Sequence, residues 1–269
     1  AADNLHRVRG VLNGTCNFLL TKMGASDASF DEVLADAQER GFAEADPSAD
    51  LDGLDAQAKL SILSAIGLRR PINPHEITCR SIRDVNRADF EAAALLGCGI
   101  RQVSTVELTE EGDAVRAEVR PAMVNLESRV AQVSGNENVV VVDGIACGEV
   151  TLIGQGAGGD PTAVAIVSDL LAIASGDGAP NLFPSAGVSY QVEIMGRRSH
   201  YVRVTGPQSV AKSLSDHGVL PAKTLEDRDG QVQFVTERCT TEAIESALRT
   251  SETPQGDKAE SAVVLPIMD

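Results

Sequence analysis

Residues 101–119, Arg101-Gln-Val-Ser-Thr-Val-Glu-Leu108-Thr-Glu-Glu-Gly-Asp-Ala114-Val-Arg-Ala-Glu-Val119, decide the fold class of this chain. Two β-rich runs, Arg101 to Leu108 and Ala114 to Val119, are separated by a Glu-Gly-Asp turn too short to hold a helix. Two further runs, Val139 to Val142 and Glu149 to Ile153, follow with Gly, Asp and Asn turns around them. Strands that succeed one another without helices between them argue for a largely antiparallel or mixed sheet, covered by helices from elsewhere. The reading is an α+β body rather than a doubly wound one.

Upstream, the pattern supplies those helices. A β-rich run around Val8 to Leu12 meets Asn13-Gly14, a strong turn signal, and Thr15 is placed to cap the helix that follows. Such a strand–turn–helix entry presents free backbone N–H groups to an anion or a carbonyl. A second helix, Phe30 to Arg40, puts Val33, Leu34 and Ala37 on one face and stops at Gly41. Then comes an acidic turn: Glu44, Asp46, Asp50, Asp52 and Asp55 precede a single lysine, Lys59. Asp55 and Lys59 stand at i and i+4, on one helical face. One reading is a capping aspartate with a surface ion pair worth roughly a few tenths of a kcal/mol. The other is a functional pair at the edge of a core, because Leu60, Ile62, Leu63 and Ile66 make the rest of that helix mostly apolar. Pro71 and Pro74 close it, and a further helix runs from about Ala88 to Leu96.

Downstream, four glycines (Gly154, Gly156, Gly158, Gly159) lead into Asp160 as N-cap and Pro161 at the first helical position. The helix from Thr162 to Ala174 is apolar on nearly every face and is expected to be buried on more than one side. A glycine loop before a helix N-terminus can cradle a dinucleotide phosphate, although the spacing here is not that of a full dinucleotide fingerprint. Residues 176–184 form a Gly/Pro/Asp/Ser-rich linker that divides 1–175 from 185–269. Beyond it the pattern reads strand (Tyr201 to Thr205), helix (Pro207 to His217), strand (Val219 to Leu225), strand (Val232 to Thr236), helix (Thr241 to Leu248), strand (Ala262 to Pro266). That order, βαββαβ, is the ferredoxin-like split unit. A unit this small is expected to lean on a partner or on the first domain.

At 269 residues with 43% hydrophobic content, the chain can bury a sizeable core in two domains. A net charge of -16 argues against a phosphate-backbone partner, and 3% aromatics with no Trp argue against single-strand stacking platforms, so no nucleic acid is expected. Without a long apolar run or a signal-peptide pattern, no membrane association and a cytoplasmic location are expected. Cys16, Cys79, Cys98, Cys147 and Cys239 lie far apart without metal-ligand spacing, which predicts reduced, mostly buried thiols and no metal site. The chain opens on Ala1 rather than Met, which raises the expectation of a fragment or processed product.

Three segments, in this order, resemble homoserine dehydrogenase: Gly10-Val-Leu-Asn-Gly-Thr-Cys-Asn-Phe18, Gly41-Phe-Ala-Glu-Ala-Asp-Pro-Ser-Ala-Asp-Leu-Asp-Gly-Leu-Asp-Ala-Gln-Ala-Lys59 and Gly154-Gln-Gly-Ala-Gly-Gly-Asp-Pro-Thr-Ala163. The resemblance runs through residues 1 to about 175, and the C-terminal βαββαβ unit is similar in pattern to the ACT regulatory domains that many members carry. It implies a cytoplasmic homodimer that interconverts L-homoserine and L-aspartate 4-semialdehyde with NADP or NAD, in threonine, methionine and isoleucine biosynthesis. It implies Lys59 as the catalytic lysine with Asp55 beside it, and Glu44, Asp50, Asp55, Gly14, Thr15 and Phe42 at the substrate. Gly41 and Gly158 match positions at the cofactor. Members begin with a Rossmann domain that holds the glycine-rich dinucleotide loop, a second active-site lysine and a monovalent-cation site, none of which stands in this sequence. The chain alone is therefore expected to bind the cofactor poorly and to turn over little. The segment Thr205-Gly-Pro-Gln-Ser-Val210 departs from the turn usual in ACT domains.

The residue chemistry is consistent with that implication. An amino-acid ammonium needs one or two carboxylates, and alcohol oxidation needs a group that takes the hydroxyl proton. The alternative expectation is a non-catalytic regulatory or dimerisation module derived from the same family. The intact set Glu44, Asp50, Asp55 and Lys59 favours the enzyme, because a module relieved of catalysis has no physical reason to keep that charge near its core.

Overall fold

The computed structural model describes residues 3–176, 189–205, 209–228, 231–250 and 261–268. Strand β1 (Leu5–Val11) leads into helices α1 (Gly14–Ala25), α2 (Phe30–Glu39), the short α3 (Ser48–Leu51) and α4 (Leu54–Leu63), the last continuing into a π turn over Ser64–Leu68. A two-residue β2 (Thr78–Cys79) and α5 (Arg87–Leu95) precede strands β3 (Cys98–Leu108), β4 (Val115–Asn125), β5 (Glu137–Gly144) and β6 (Gly148–Gln155), then α6 (Gly159–Ala174). The C-terminal part holds β7 (Val192–Glu193), β8 (His200–Thr205), α7 (Ser209–Asp216), β9 (Pro221–Arg228), β10 (Gln231–Thr236), α8 (Thr241–Thr250) and β11 (Ser261–Met268).

All of this is one mixed sheet in the order β6-β5-β1-β3-β4-β11-β8-β10-β9, with β2 and β7 paired on β4. The β3–β4 hairpin is longer than its sequence pattern, running on through Pro121 to Asn125. On the outer edge of β4, Pro121 falls between the residues that pair with β2 (Glu118, Val119) and those that pair with β11 (Met123, Val124). A proline inside a run of residues demotes a strand assignment on sequence grounds, which is why the pattern stops at Val119.

Alternation along the strands gives the sheet two apolar faces. On one, α1, α2 and α3 bring Leu19, Leu20, Val33 and Leu51 against Ile100 and Met123, while α4 lays Ala56 and Leu60 on Val106, Ala117 and Val119. On the other, Val11, Val103, Ala122, Val124 and Val139 meet Val130 and Val133. The C-terminal strands follow the order β11-β8-β10-β9, every neighbour antiparallel, which is the fourth-first-third-second arrangement of a ferredoxin-like unit with its own core of Val202, Val204, Phe234 and Ile244.

That unit is hydrogen-bonded into the first sheet by the parallel pairs Ile267–Met123 and Met268–Val124. Tyr201, Val263 and Leu265 complete the same apolar cluster as Leu19 and Ile100. A fully desolvated ion pair reinforces the junction: Arg203 of β8 donates through Nε to Asp89 Oδ1 at 2.7 Å and through Nη2 to Asp89 Oδ2 at 3.1 Å and to the Asp84 carbonyl at 2.8 Å. Asp89 also closes the capping box of α5 by accepting from the Asn86 amide. Residues 177–184 of the expected linker and 206–208 of the ACT-type turn lie outside the described residues.

Three local expectations are corrected. Asn13, not Thr15, caps α1: its extended backbone (φ -128°) lets Oδ1 accept from the Cys16 amide, and Thr15 is already helical. Helix α6 begins at Gly159 with Gly158 as N-cap, so Asp160 lies in the first turn and caps nothing. The third concerns burial: no residue of α6 is buried, and Val164, Leu170 and Ile173 are 66%, 59% and 73% exposed, since none of the described residues packs over that face. By contrast Gly41, just beyond α2, takes the left-handed conformation (φ +74°) that its place after the helix requires. Among the described residues no helix is long and apolar enough to cross a membrane.

His200 links the fold to pH. Its ring is buried, with Nε2 3.0 Å from Thr241 Oγ1 and Nδ1 3.8 Å from Cys239 Sγ. Burial, aided by the cations of Arg198 and Arg120, lowers its pKa from 6.5 to about 3. Between those two values the unfolded chain binds a proton that the folded chain refuses, so stability present at neutral pH is lost as pH falls below about 6.5. At pH 5 this loss should reach about 2 kcal/mol. Urea melts at pH 5 and 7.5 should show it for the parent and show a smaller difference for His200→Gln.

Candidate active site

The charged cluster predicted from residues 41–59 is assembled by the turn between β1 and α1. Asn13 is 4% exposed and uses its whole amide. Oδ1 accepts from the Cys16 N–H at 2.9 Å, while Nδ2 donates to Asp50 Oδ1 at 2.7 Å and to Asp55 Oδ2 at 2.9 Å. Asp50 sits on α3 and Asp55 in the first turn of α4. The reversal between them passes through Gly53 at φ +84°, where a side chain would also press on Val119 at 3.1 Å.

Lys59, one turn after Asp55, donates from Nζ to Asp55 Oδ2 at 2.7 Å and to the Leu12 carbonyl at 3.1 Å. The Leu12 carbonyl also accepts from Asn138 Nδ2 at 3.3 Å, which ties β5 to the same point. The Lys59 and Asp55 side chains are 43% and 33% exposed, so the pair is anchored on one side and open on the other. Of the pair, Lys59 borders a groove of about 470 Å³, together with Leu12, Ile62, Asn138, Leu152 and residues 154–156. Leu60 is buried as the sequence suggests, but Ile62 and Ile66 are 52% and 43% exposed, so the apolar run after Lys59 is divided between core and groove.

Beneath the carboxylates, Cys16 donates from Sγ to the Asp50 carbonyl at 3.2 Å. Burial, and then the charges of Asp50 and Asp55, push its thiol far above the ordinary range, which makes it a packing residue rather than a nucleophile.

The other predicted residues divide. Thr15 donates from Oγ1 to the Phe42 carbonyl at 2.8 Å, and the Phe42 ring lies 4.9 Å from that of Phe18, so Thr15 and Phe42 are held together at the mouth of α1. Gly14 is packed so closely that a Cβ would stand 2.7 Å from the Asn136 carbonyl oxygen. Glu44 is exposed, and although its carbonyl accepts from Gln38 at 3.0 Å, no hydrogen bond joins its carboxylate to Asp50, Asp55 or Lys59. Gly41 has open space around its Cα, and Gly158 (φ +126°) stands at the head of α6. Asp46 and Asp52 do structural work, one accepting from the Ser48 amide and the other pairing with Arg83. Sequence reasoning missed Asn13, the Leu12 carbonyl and Asn138 as parts of the cluster. The Asn-Gly turn marked the place of Asn13, whereas nothing local marks Asn138.

A mixed sheet carrying a ferredoxin-like unit thus gathers two carboxylates and a lysine at a strand-to-helix turn, in an α+β protein. The homoserine dehydrogenase family model matches residues 1–171, and the chain belongs to that family of NAD(P)-dependent oxidoreductases. A homoserine dehydrogenase of Synechocystis is 37% identical over 209 residues, covering 76% of this chain and 46% of the relative. One of Pseudomonas aeruginosa is 31% identical over 280 residues, covering 95% of this chain and 64% of the relative. The chain thus spans about half to two thirds of the length of these curated relatives. Among solved structures, a homoserine dehydrogenase from Thiobacillus denitrificans superposes with a TM-score of 0.87 at 28% identity, over 100% of this chain and 65% of that one. A hyperthermophilic archaeal homoserine dehydrogenase mutant in complex with NADPH gives 0.55 at 30% identity, over 67% of this chain and 50% of that one.

Proposed function

We propose that this chain carries the substrate half of a homoserine dehydrogenase active site, acting on L-homoserine and L-aspartate 4-semialdehyde with NADP or NAD, and that residues 185–269 act as an ACT-like unit. The observation that carries the reading is the hydrogen-bonded Asp50–Asn13–Asp55–Lys59 cluster, whose Lys59 borders a groove. Lys59 Nζ has three donors, of which Asp55 and the Leu12 carbonyl hold two. The third is free to reach the C4 oxygen of the substrate, giving it a proton when the aldehyde is reduced and taking one back from the alcohol. The carboxylate oxygens of Asp50 and Asp55 that Asn13 and Lys59 leave unused, together with Glu44, take the substrate ammonium. The first amides of α1, at Gly14 and Thr15, take its carboxylate, with Phe42 beside them.

The cofactor that the family implies fits this chain at one end. Gly154 and Gly159 have open space where side chains would stand, and Gly158 is at φ +126°, so the loop before α6 leaves its amides accessible. Ile62 and Leu152 offer an apolar wall to a nicotinamide ring. When bound, the cofactor supplies the hydride donor or acceptor. The apolar face of α6, with Val164, Ile166, Val167, Leu170 and Leu171 more than half exposed, is where the remaining nucleotide-binding portion would pack. Pairing of two copies into a homodimer belongs to the same reading.

The test is NAD(P)H-dependent reduction of L-aspartate 4-semialdehyde, measured with this chain and with this chain joined to the dinucleotide-binding domain of a homoserine dehydrogenase. Turnover by the joined protein is the expected result. Its absence in a folded joined protein would overturn the proposal.

A further inference from the structure

We infer that Asn13 is a positioning residue that fixes the charge pattern of the site by clamping Asp50 and Asp55 at a set separation. The inference rests on the reading above for its substrate, but its geometry stands on its own. Two carboxylates that face one another without a donor between them repel, and they relieve the strain by sharing a proton or by swinging apart. Here one amide nitrogen gives one hydrogen to each, at 2.7 and 2.9 Å. An amide N–H can only donate, so Asp50 Oδ1 and Asp55 Oδ2, the two oxygens it reaches, must be acceptors.

The amide cannot turn over to reverse this. Its oxygen is held by the Cys16 N–H at 2.9 Å, and a flip would set that oxygen against both carboxylates and point the NH₂ group at an N–H. The cap of α1 therefore does two jobs at once. It starts the helix whose first amides face the site, and it sets the orientation of the donor that holds the acidic pair.

The consequence is chemical selectivity. With Asp55 Oδ2 occupied by Asn13 and Lys59, and Asp50 Oδ1 occupied by Asn13, each carboxylate keeps one oxygen free. Two carboxylates and one lysine ammonium leave one uncompensated negative charge. That charge calls for a cationic group on the ligand, so the site favours an α-amino acid over the corresponding α-hydroxy acid.

Two substitutions separate this role from plain capping. Asn13→Ser and Asn13→Asp both retain a side chain that caps helices well. Serine removes the clamp, and aspartate replaces the shared donor by a third carboxylate. The control is Ser29→Ala, which removes the capping box of α2 and leaves the cluster untouched.

The first measurement is the crystal structure of the full chain without substrate, for the parent and each variant. Asp50 Oδ1 and Asp55 Oδ2 should stand farther apart in Asn13→Ser, and farther still in Asn13→Asp, and should keep the parent's separation in Ser29→Ala. Carboxylates that keep the parent's positions in Asn13→Ser would overturn the inference. The second measurement is calorimetric binding of L-homoserine at pH 7.5, expected to weaken at least tenfold in both Asn13 variants and to be unchanged in Ser29→Ala. Failure of the parent chain to bind L-homoserine counts against the proposed function alone, whereas unmoved carboxylates in Asn13→Ser count against the clamp alone.

Discussion

On the proposed function, replacing Lys59 by alanine should lower kcat for L-aspartate 4-semialdehyde reduction about 100- to 10,000-fold in the chain joined to the dinucleotide-binding domain of a homoserine dehydrogenase, the range for loss of a positioned general acid. Stability should hardly change. The lysine is 43% exposed and its ion pair with Asp55 is open to solvent, so the melting temperature should stay within a few degrees of the parent's. Lys59→Arg sharpens the test. Arginine keeps the cation and can bond Asp55, yet a guanidinium does not release its proton at neutral pH. If Lys59 handles a proton, arginine is nearly as damaging as alanine; if it only supplies charge, arginine rescues most of the rate. Steady-state NADPH oxidation by the three proteins decides, and a fully active Lys59→Ala protein would remove Lys59 from the chemistry.

The largest effect on stability should come from the other end of the sheet. Arg203 and Asp89 are 3% and 0% exposed, and three hydrogen bonds of Arg203 fall on Asp89 and Asp84. Removing one partner leaves the other charged and out of reach of water, so Arg203→Ala should cost about 3–5 kcal/mol. For a chain of this length that corresponds to a melting temperature lower by roughly 10 °C. The double variant Asp89→Leu/Arg203→Met, which fills the space without charge, should recover most of the loss. Urea denaturation of the two variants and the parent is the measurement. Equal stability of parent and Arg203→Ala would mean that water reaches the site.

How far the sequence reads depends on how local the cause is. The helix-free run from 101 to 153 announces its strands because turn chemistry and alternation act within a few residues, and the βαββαβ unit is legible for the same reason. The Asp55–Lys59 pair is legible because four residues on a helix make one turn. The cap of α1 falls to the wrong residue on sequence grounds because Asn13 and Thr15 are both competent N-caps, and the choice rests on which residue stays extended. Asn13's bonds to Asp50 and Asp55 span 37 and 42 residues, and no local pattern carries that distance. Helix α6 is instructive in another way. Apolar residues on every face say that the helix needs cover, but not where the cover comes from, and none of the described residues supplies it.

The two-residue pairing of β11 with β4 decides how the chain can be cut. Suppose a protease nicked the chain near residue 176 and the C-terminal strands then departed. The outer edge of β4 at Met123 and Val124 would lose its neighbour, and Leu19, Ile100 and Met123 would lose Tyr201 and Leu265 from their cluster. A long strand with an open, apolar edge is a template for pairing with another chain. The segment that bears the family match thus shares its sheet and its core with the C-terminal strands. Its protection against self-association is built from residues about 90 positions beyond the helix that closes the match.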